Sequence, residues 1–131
     1  MVKHMYDKLL ILVVMIFLHI VDDYYLQGRL AQLKQRQYWK DNAPNELYKY
    51  DYIIALVMHA FSWSFMVMIP SLAYIELTQT LNIQYFILLI LNTLIHSIVD
   101  NEKANKLKIN LITDQLLHII QIIITWLILI F

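Results

Sequence analysis

The chain has 131 residues, ten basic and ten acidic side chains and no formal net charge, and 60% of it is hydrophobic, above the ~45–50% of an ordinary soluble domain. One glycine, two prolines and no cysteine exclude a many-turned β-sandwich, a disulfide framework and thiolate chemistry. The neutral balance gives no basic stripe for nucleic acid, and the length admits one domain, residues 1–131.

The apolar residues fall in four runs, at about Met5–Leu26, Tyr52–Ile69, Ile83–Val99 and Leu111–Phe131. Each is roughly 17–22 residues, or ~25–33 Å as a helix, which matches the hydrocarbon core of a bilayer. Stretches such as Phe86–Leu91 and Ile119–Phe131 carry almost no polar face, unlike a soluble bundle helix. The expected fold is therefore all-α, a polytopic membrane protein with four transmembrane helices in an up-and-down bundle. The first run holds Lys8 and has no small-residue cleavage site after it, so it reads as a retained span and not as a signal peptide. Pro70 is expected to stop the second.

The connection Gly28–Asp51 carries Arg29, Lys34, Arg36, Lys40 and Lys49, and Asn101–Asn110 carries Lys103, Lys106 and Lys108. The opposite side has only Lys3 and Lys8, with no basic residue in Pro70–Asn82. Eight against two puts both basic loops in the cytoplasm and both termini outside. From Arg29 to Lys40 there is no helix breaker, and Leu26, Leu30 and Leu33 fall on one side. Six of the nine tyrosines and Trp39 lie in or beside this loop. It reads as a short interfacial helix on the leaflet, in contact with lipid.

Polar residues inside the runs are the functional candidates, because a carboxylate at mid-bilayer costs ~2.5–3.5 kcal/mol on insertion scales. His4 is near the N-terminus; the other histidines, His19, His59, His96 and His118, stand one in each span. They come late, early, late and early, so alternating helix direction brings all four to the side of the basic loops. Asp23 follows His19 by four residues, Asp100 follows His96 by four, and Asp114 precedes His118 by four. Residues i and i+4 share a helix face, so each pair can present two donors to one point. His59 has no such acid; Ser62 and Ser64 are its polar neighbours. Asp22, three residues after His19, is open to two readings, a further inward acid or one that simply faces the headgroups beside Asp23; the amides of Gln27 and Gln115 are expected to orient ligands.

The expected metal ligands are therefore His19, Asp23, His59, His96, Asp100, Asp114 and His118. Mixed nitrogen and oxygen donors without sulfur suit one or two divalent ions, Zn, Mn or Fe. The bland alternatives are interhelical hydrogen bonding and a metal-free His–Asp proton relay. Trp63, Trp126 and Met66–Met68 read as lipid-facing or helix-packing surface. With one glycine, no close helix crossing fixes an oligomer.

His19-Ile-Val-Asp-Asp23-Tyr-Tyr-Leu-Gln27, His96-Ser-Ile-Val-Asp100 and Asp114-Gln-Leu-Leu-His118 resemble a family of small four-helix membrane proteins of bacteria and their phages, classed as a domain of unknown function. Its pattern is His-x3-Asp-x3-Gln, a histidine in the second span, His-x3-Asp and Asp-Gln-x2-His. Asp23 and His59 match the first acid and the second-span histidine. The resemblance implies a bacterial or phage origin and an intramembrane constellation, and names no substrate.

The first functional expectation is a membrane-embedded, metal-dependent hydrolase acting on a lipidic or membrane-delivered substrate. Asp22, Asp23 and Asp100 are its candidates for catalysis, with Asp22 or a histidine as general base. Arg29 and Lys103 would steer an anionic headgroup. The alternatives are a divalent-metal or proton conduit, and a non-enzymatic phage or bacterial accessory protein. Against the conduit, the outer halves of the spans offer Thr125 and little else.

Overall fold

A computed structural model describes residues 2–78 and 82–131, the side chains of residues 2–4 excepted. The His4 side chain and the 79–81 part of the Pro70–Asn82 connection thus lie outside what is described. Among the described residues there is no strand. The helices are α1 (Val2–Val21), α2 (Leu30–Leu33), α3 (Arg36–Asn42), α4 (Asp51–Thr78), α5 (Ile83–Ala104) and α6 (Leu111–Ile130). A π-helical turn, Asp22–Leu26, extends α1, and a 3₁₀ turn spans Glu46–Tyr48. The segments Met5–Leu26, Glu46–Thr78, Ile83–Ala104 and Leu111–Ile130 are long and apolar enough to cross a membrane.

Local chemistry sets the element ends. Asn82 and Asn110 accept from the backbone N–H of Gln84 and Thr113, both at 2.9 Å, and so start α5 and α6. Gly28, at φ +49°, turns the chain out of the π-helical segment in a conformation that costs other residues a Cβ clash.

Pro70 does not end the second span: α4 runs on through it to Thr78. Proline removes one backbone hydrogen bond, and an apolar surrounding with neighbouring helices tolerates that loss where water would compete for the freed carbonyl. The buried residues of α4 recur at steps of four: Ala55, His59, Trp63, Val67, Ser71 and Ile75, with Leu56, Ala60, Ser64 and Met68 alongside. Each step of four advances about 40° past a full turn, so the buried stripe winds around the helix. This is why α4 packs against α1, α5 and α6, while α6 closes the ring against α1 and α5.

The polarity of the bundle is inverted relative to a soluble protein. Outward faces carry Leu10, Val13 and Phe17 on α1, Ile54, Met58 and Phe61 on α4, Ile87, Ile90 and Leu94 on α5, and Ile112, Leu116 and Ile120 on α6. Among the described residues, the inward faces carry fourteen buried polar or charged side chains, including all four span histidines. Away from the basic loops, Met15, Val67, Met68, Ile122, Leu129 and Ile130 form an apolar core.

The first loop does not form one interfacial helix. It breaks at Gln35, whose backbone is extended (φ −92°, ψ 121°), into α2 and α3. Asn105, at the C-terminus of α5, holds the break: its Nδ2 donates to the Lys34 carbonyl at 3.0 Å, and its Oδ1 accepts from Arg36 N at 2.6 Å. Trp39 Nε1 donates to the Leu33 carbonyl at 2.7 Å and its ring stacks on Tyr48. This clamp turns the Lys34 side chain inward.

Candidate metal centre

Three of the four long helices bring a histidine and a carboxylate to the end of the bundle near the basic loops, and α4 brings His59. His19 is 1% exposed and His59, His96 and His118 are fully buried. They surround a residue that the sequence reading placed on a packing or lipid-facing surface. Trp63, 1% exposed, lies one turn from His59 on the same face of α4. Its ring stacks on His96 (centroids 4.2 Å apart, 22° between planes), and His96 stacks in turn on His118 (4.1 Å, 25°). Trp63 Nε1 donates to His19 Nδ1 at 2.7 Å. An indole N–H can only donate, so the His19 proton sits on Nε2, which donates to Gln115 Oε1 at 3.0 Å. Both His19 nitrogens are thereby engaged by protein partners.

The remaining imidazoles face carboxylates with little else to bond. His59 Nε2 is 3.4 Å from Asp23 Oδ1, 3.3 Å from Asp100 Oδ2 and 3.3 Å from His96 Nε2. His96 Nε2 is 4.0 Å from Asp23 Oδ1 and 3.9 Å from Asp100 Oδ2. A tetrahedral ion with bonds of ~2.0–2.1 Å has ligand-to-ligand edges of roughly 3.3–3.5 Å. Two overlapping triads, Asp23–His59–His96 and His96–Asp100–His118, have their donor atoms all within 4.8 Å of one another. His118 Nε2 lies 3.4 Å from Asp114 Oδ1 and 3.7 Å from Asp100 Oδ1. Asp22 Oδ2, Asp23 Oδ1, Asp114 Oδ1, His59 Nδ1, His96 Nδ1 and both His118 nitrogens are buried without a hydrogen-bond partner. Buried polar atoms are rarely left so, and here they converge.

Several residues take places the sequence left open or did not foretell. Asp22 does not face the headgroups: it is 1% exposed, accepts from Ser62 Oγ at 3.0 Å and stands 3.8 Å behind His59 Nδ1. At i+3 and i+4 from His19, Asp22 and Asp23 both point inward. Gln27 does not reach a carboxylate. In the π-helical turn its N–H bonds the Asp22 carbonyl (3.0 Å) in place of that of Asp23, and its own side-chain amide donates to the Asp23 carbonyl so released. Gln115 does reach the acids, donating to Asp114 Oδ2 at 3.1 Å and to Asp23 Oδ2 at 3.5 Å.

Arg29 is exposed and lines no part of the centre. Two lysines cap the carboxylates instead. Lys34 Nζ donates to Asp100 Oδ2 and Lys103 Nζ to Asp114 Oδ2, both at 2.6 Å. Lys106 and Lys108 turn to Glu102, which leaves Lys103 for Asp114. Lys34 was hidden in the sequence among five loop cations; nothing in its spacing marks it.

One turn deeper, Asn92, Gln121 and Thr125 form a second buried polar group. Asn92 Nδ2 donates to Thr125 Oγ1 at 2.9 Å, and Gln121 Nε2 donates to Asn92 Oδ1 at 2.8 Å. The span interiors thus hold more polarity than Thr125 alone. Asn92 lies four residues before His96 and Gln121 three after His118, a same-face spacing that would have revealed them.

The family described as a protein of unknown function (DUF3307) matches residues 11–131. No curated protein and no solved structure matches the chain.

Proposed function

Since the chain belongs to DUF3307, a family described only as a protein of unknown function, the reading must come from the site, and we propose that it is a membrane-embedded, metal-dependent hydrolase of a lipidic substrate. The observation that carries this is that His59 Nε2 and His96 Nε2, 3.3 Å apart, each lie 3.3–4.0 Å from both Asp23 Oδ1 and Asp100 Oδ2. Two facing imidazole nitrogens between two carboxylates suit a shared cation better than any pattern of protons. The charge count points the same way. Asp22, Asp23, Asp100 and Asp114, if ionised, carry four negative charges against two from Lys34 and Lys103; the difference is the charge of one divalent ion.

Because both triads contain His96, we infer a single Zn, Mn or Fe ion held by His59 and His96 with Asp23 and Asp100. Held by these residues, such an ion would supply a bound water of pKa ~7 and a Lewis acid for an ester or phosphoryl oxygen. Asp22 orients His59 from behind, as carboxylates do for metal-bound imidazoles. His118, beside Asp114 and Asp100, is placed to accept the proton of the attacking water. Trp63 and Gln115 fix the His19 tautomer and, through it, the packing of the imidazole group. From the bias of basic residues toward the two loops we infer that the centre lies at the cytoplasmic face of a bacterial inner membrane, with both termini outside.

The test is elemental analysis of detergent-purified protein beside Asp100→Asn, with hydrolysis of membrane lipids as the second readout. Wild type should carry about one equivalent of metal; Asp100→Asn should carry little, insert normally and turn nothing over. Metal-free wild type, or full turnover by Asp100→Asn, overturns the proposal. A second reading, a proton or metal conduit, draws support from the Asn92–Gln121–Thr125 group, which continues the polar path inward. Ion flux across sealed vesicles without hydrolysis would favour it.

A further inference from the structure

A cleft of about 360 Å³ reaches the centre from the side of the basic loops, lined by Gln27, Lys34, Gln35, Asp100, Lys103 and Leu107 among others. Its lining includes one carboxylate and two lysines, and both ammoniums are engaged, Lys34 on Asp100 and Lys103 on Asp114. We propose that this cleft is a binding site for a phosphate-bearing headgroup of net negative charge, and that metal binding releases Lys34 from Asp100 to serve it. The inference rests on the metal centre proposed above and adds the substrate class and a coupling between the two ligands.

The argument is one of competition for a single oxygen. Asp100 Oδ2 accepts from Lys34 at 2.6 Å and also lies 3.3 Å from His59 Nε2, on the donor set. An ion bonded at ~2 Å to that oxygen would stand within about 4.6 Å of the ammonium, and two cations in a poorly solvated site repel strongly. The ammonium has somewhere to go: it sits on a flexible four-carbon stem, and its backbone stays anchored by Asn105 at the edge of the cleft. Lys34 is 13% exposed and Lys103 36% exposed, so both heads border solvent-reachable space. Released from the acid, the Lys34 ammonium is free to bind a phosphate in the cleft, with Lys103, still paired to Asp114, adding positive charge at its wall. Leu107, 82% exposed at the rim, adds an apolar edge suited to a molecule that arrives through the lipid.

The coupling must be reciprocal: the factor by which metal tightens the anion is the factor by which the anion tightens the metal. The experiment titrates Zn²⁺ into the full-length protein in detergent by calorimetry, alone and with short-chain phosphatidylglycerol, short-chain phosphatidylcholine or inorganic phosphate. Phosphatidylglycerol should raise Zn²⁺ affinity by ~5-fold or more, and phosphatidylcholine should not. Lys34→Met should bind Zn²⁺ more tightly than wild type in the absence of lipid, having lost the competing ammonium, and should lose the response to phosphatidylglycerol. Asn105→Ala, which keeps the charge and frees the segment, should give a reduced response and guards against misfolding of the first variant. A response to phosphatidylglycerol alone assigns the anion to a lipid; a response to inorganic phosphate as well assigns it to phosphate from either source. Zn²⁺ affinity that ignores both the anion and Lys34→Met overturns this inference and leaves the metal centre standing. Absence of Zn²⁺ binding in every form overturns both.

Discussion

Replacing Trp63 with phenylalanine isolates what holds the imidazole group together. The ring can still stack on His96, but His19 Nδ1 loses its donor at 2.7 Å in a site that is 1% exposed. A buried acceptor stripped of its partner costs about 1–3 kcal/mol in proteins generally, and interhelical hydrogen bonds in membranes average nearer ~0.6 with a maximum of ~1.7 kcal/mol. We take about 1 kcal/mol for this step. The smaller ring also leaves a void; at about 24 cal/mol per Å³, roughly 40 Å³ of unfilled space adds about 1 kcal/mol. Lipid does not weaken that second contribution, because it is lost contact and not lost burial from water. The sum of ~2 kcal/mol corresponds to a fall of roughly 6–10 °C in Tm for a chain of this length. Thermal unfolding in detergent, followed by the helical circular-dichroism signal, measures it. His19→Ala in the same background should then cost less than it does in wild type, since the bond is already gone. A fall of under about 2 °C, or strict additivity of the two variants, would refute the account of Trp63 as the hub.

Two further changes probe the elements that bring the acids and histidines together. Asn92→Val removes the bonds to Thr125 and Gln121 and should lower stability by about 1–2 kcal/mol, read as a lower Tm, while metal content stays at the wild-type level. Asn110→Ala deletes the cap that accepts from Thr113 N and should cost about 0.5–2 kcal/mol. Because Asp114 lies in the first turn of α6, hydrogen exchange at the start of that helix should rise more than at its end.

Much of the architecture was legible because membrane-capable helices announce themselves by composition. Four apolar runs gave the four long helices, and the alternation of late and early histidines gave their common depth without any knowledge of packing. Pro70 was misread because its cost was judged as in water, whereas α4 continues through it to Thr78. The inward turn of Lys34 was invisible because it depends on Asn105, 71 residues away, and a basic loop reads as a solvated one. Trp63 was assigned by its type, yet its role comes from what three other helices bring to its ring. The role of Gln27 could not be read because it answers a carbonyl freed by a π-helical turn, and helical spacing counts assume the α pitch.

The inverted polarity of the bundle has a consequence for any effort to improve or dissect it. Between apolar helix surfaces lipid supplies no squeezing force of the kind water gives a soluble interior. Cohesion near the basic loops therefore falls to the same imidazoles, carboxylates, indole and amides that would bind and react. On the function proposed above, no inert frame stands apart from the chemistry at that end, so variants that silence it should also loosen it, and thermal robustness and reactivity would have to be evolved as a single trait.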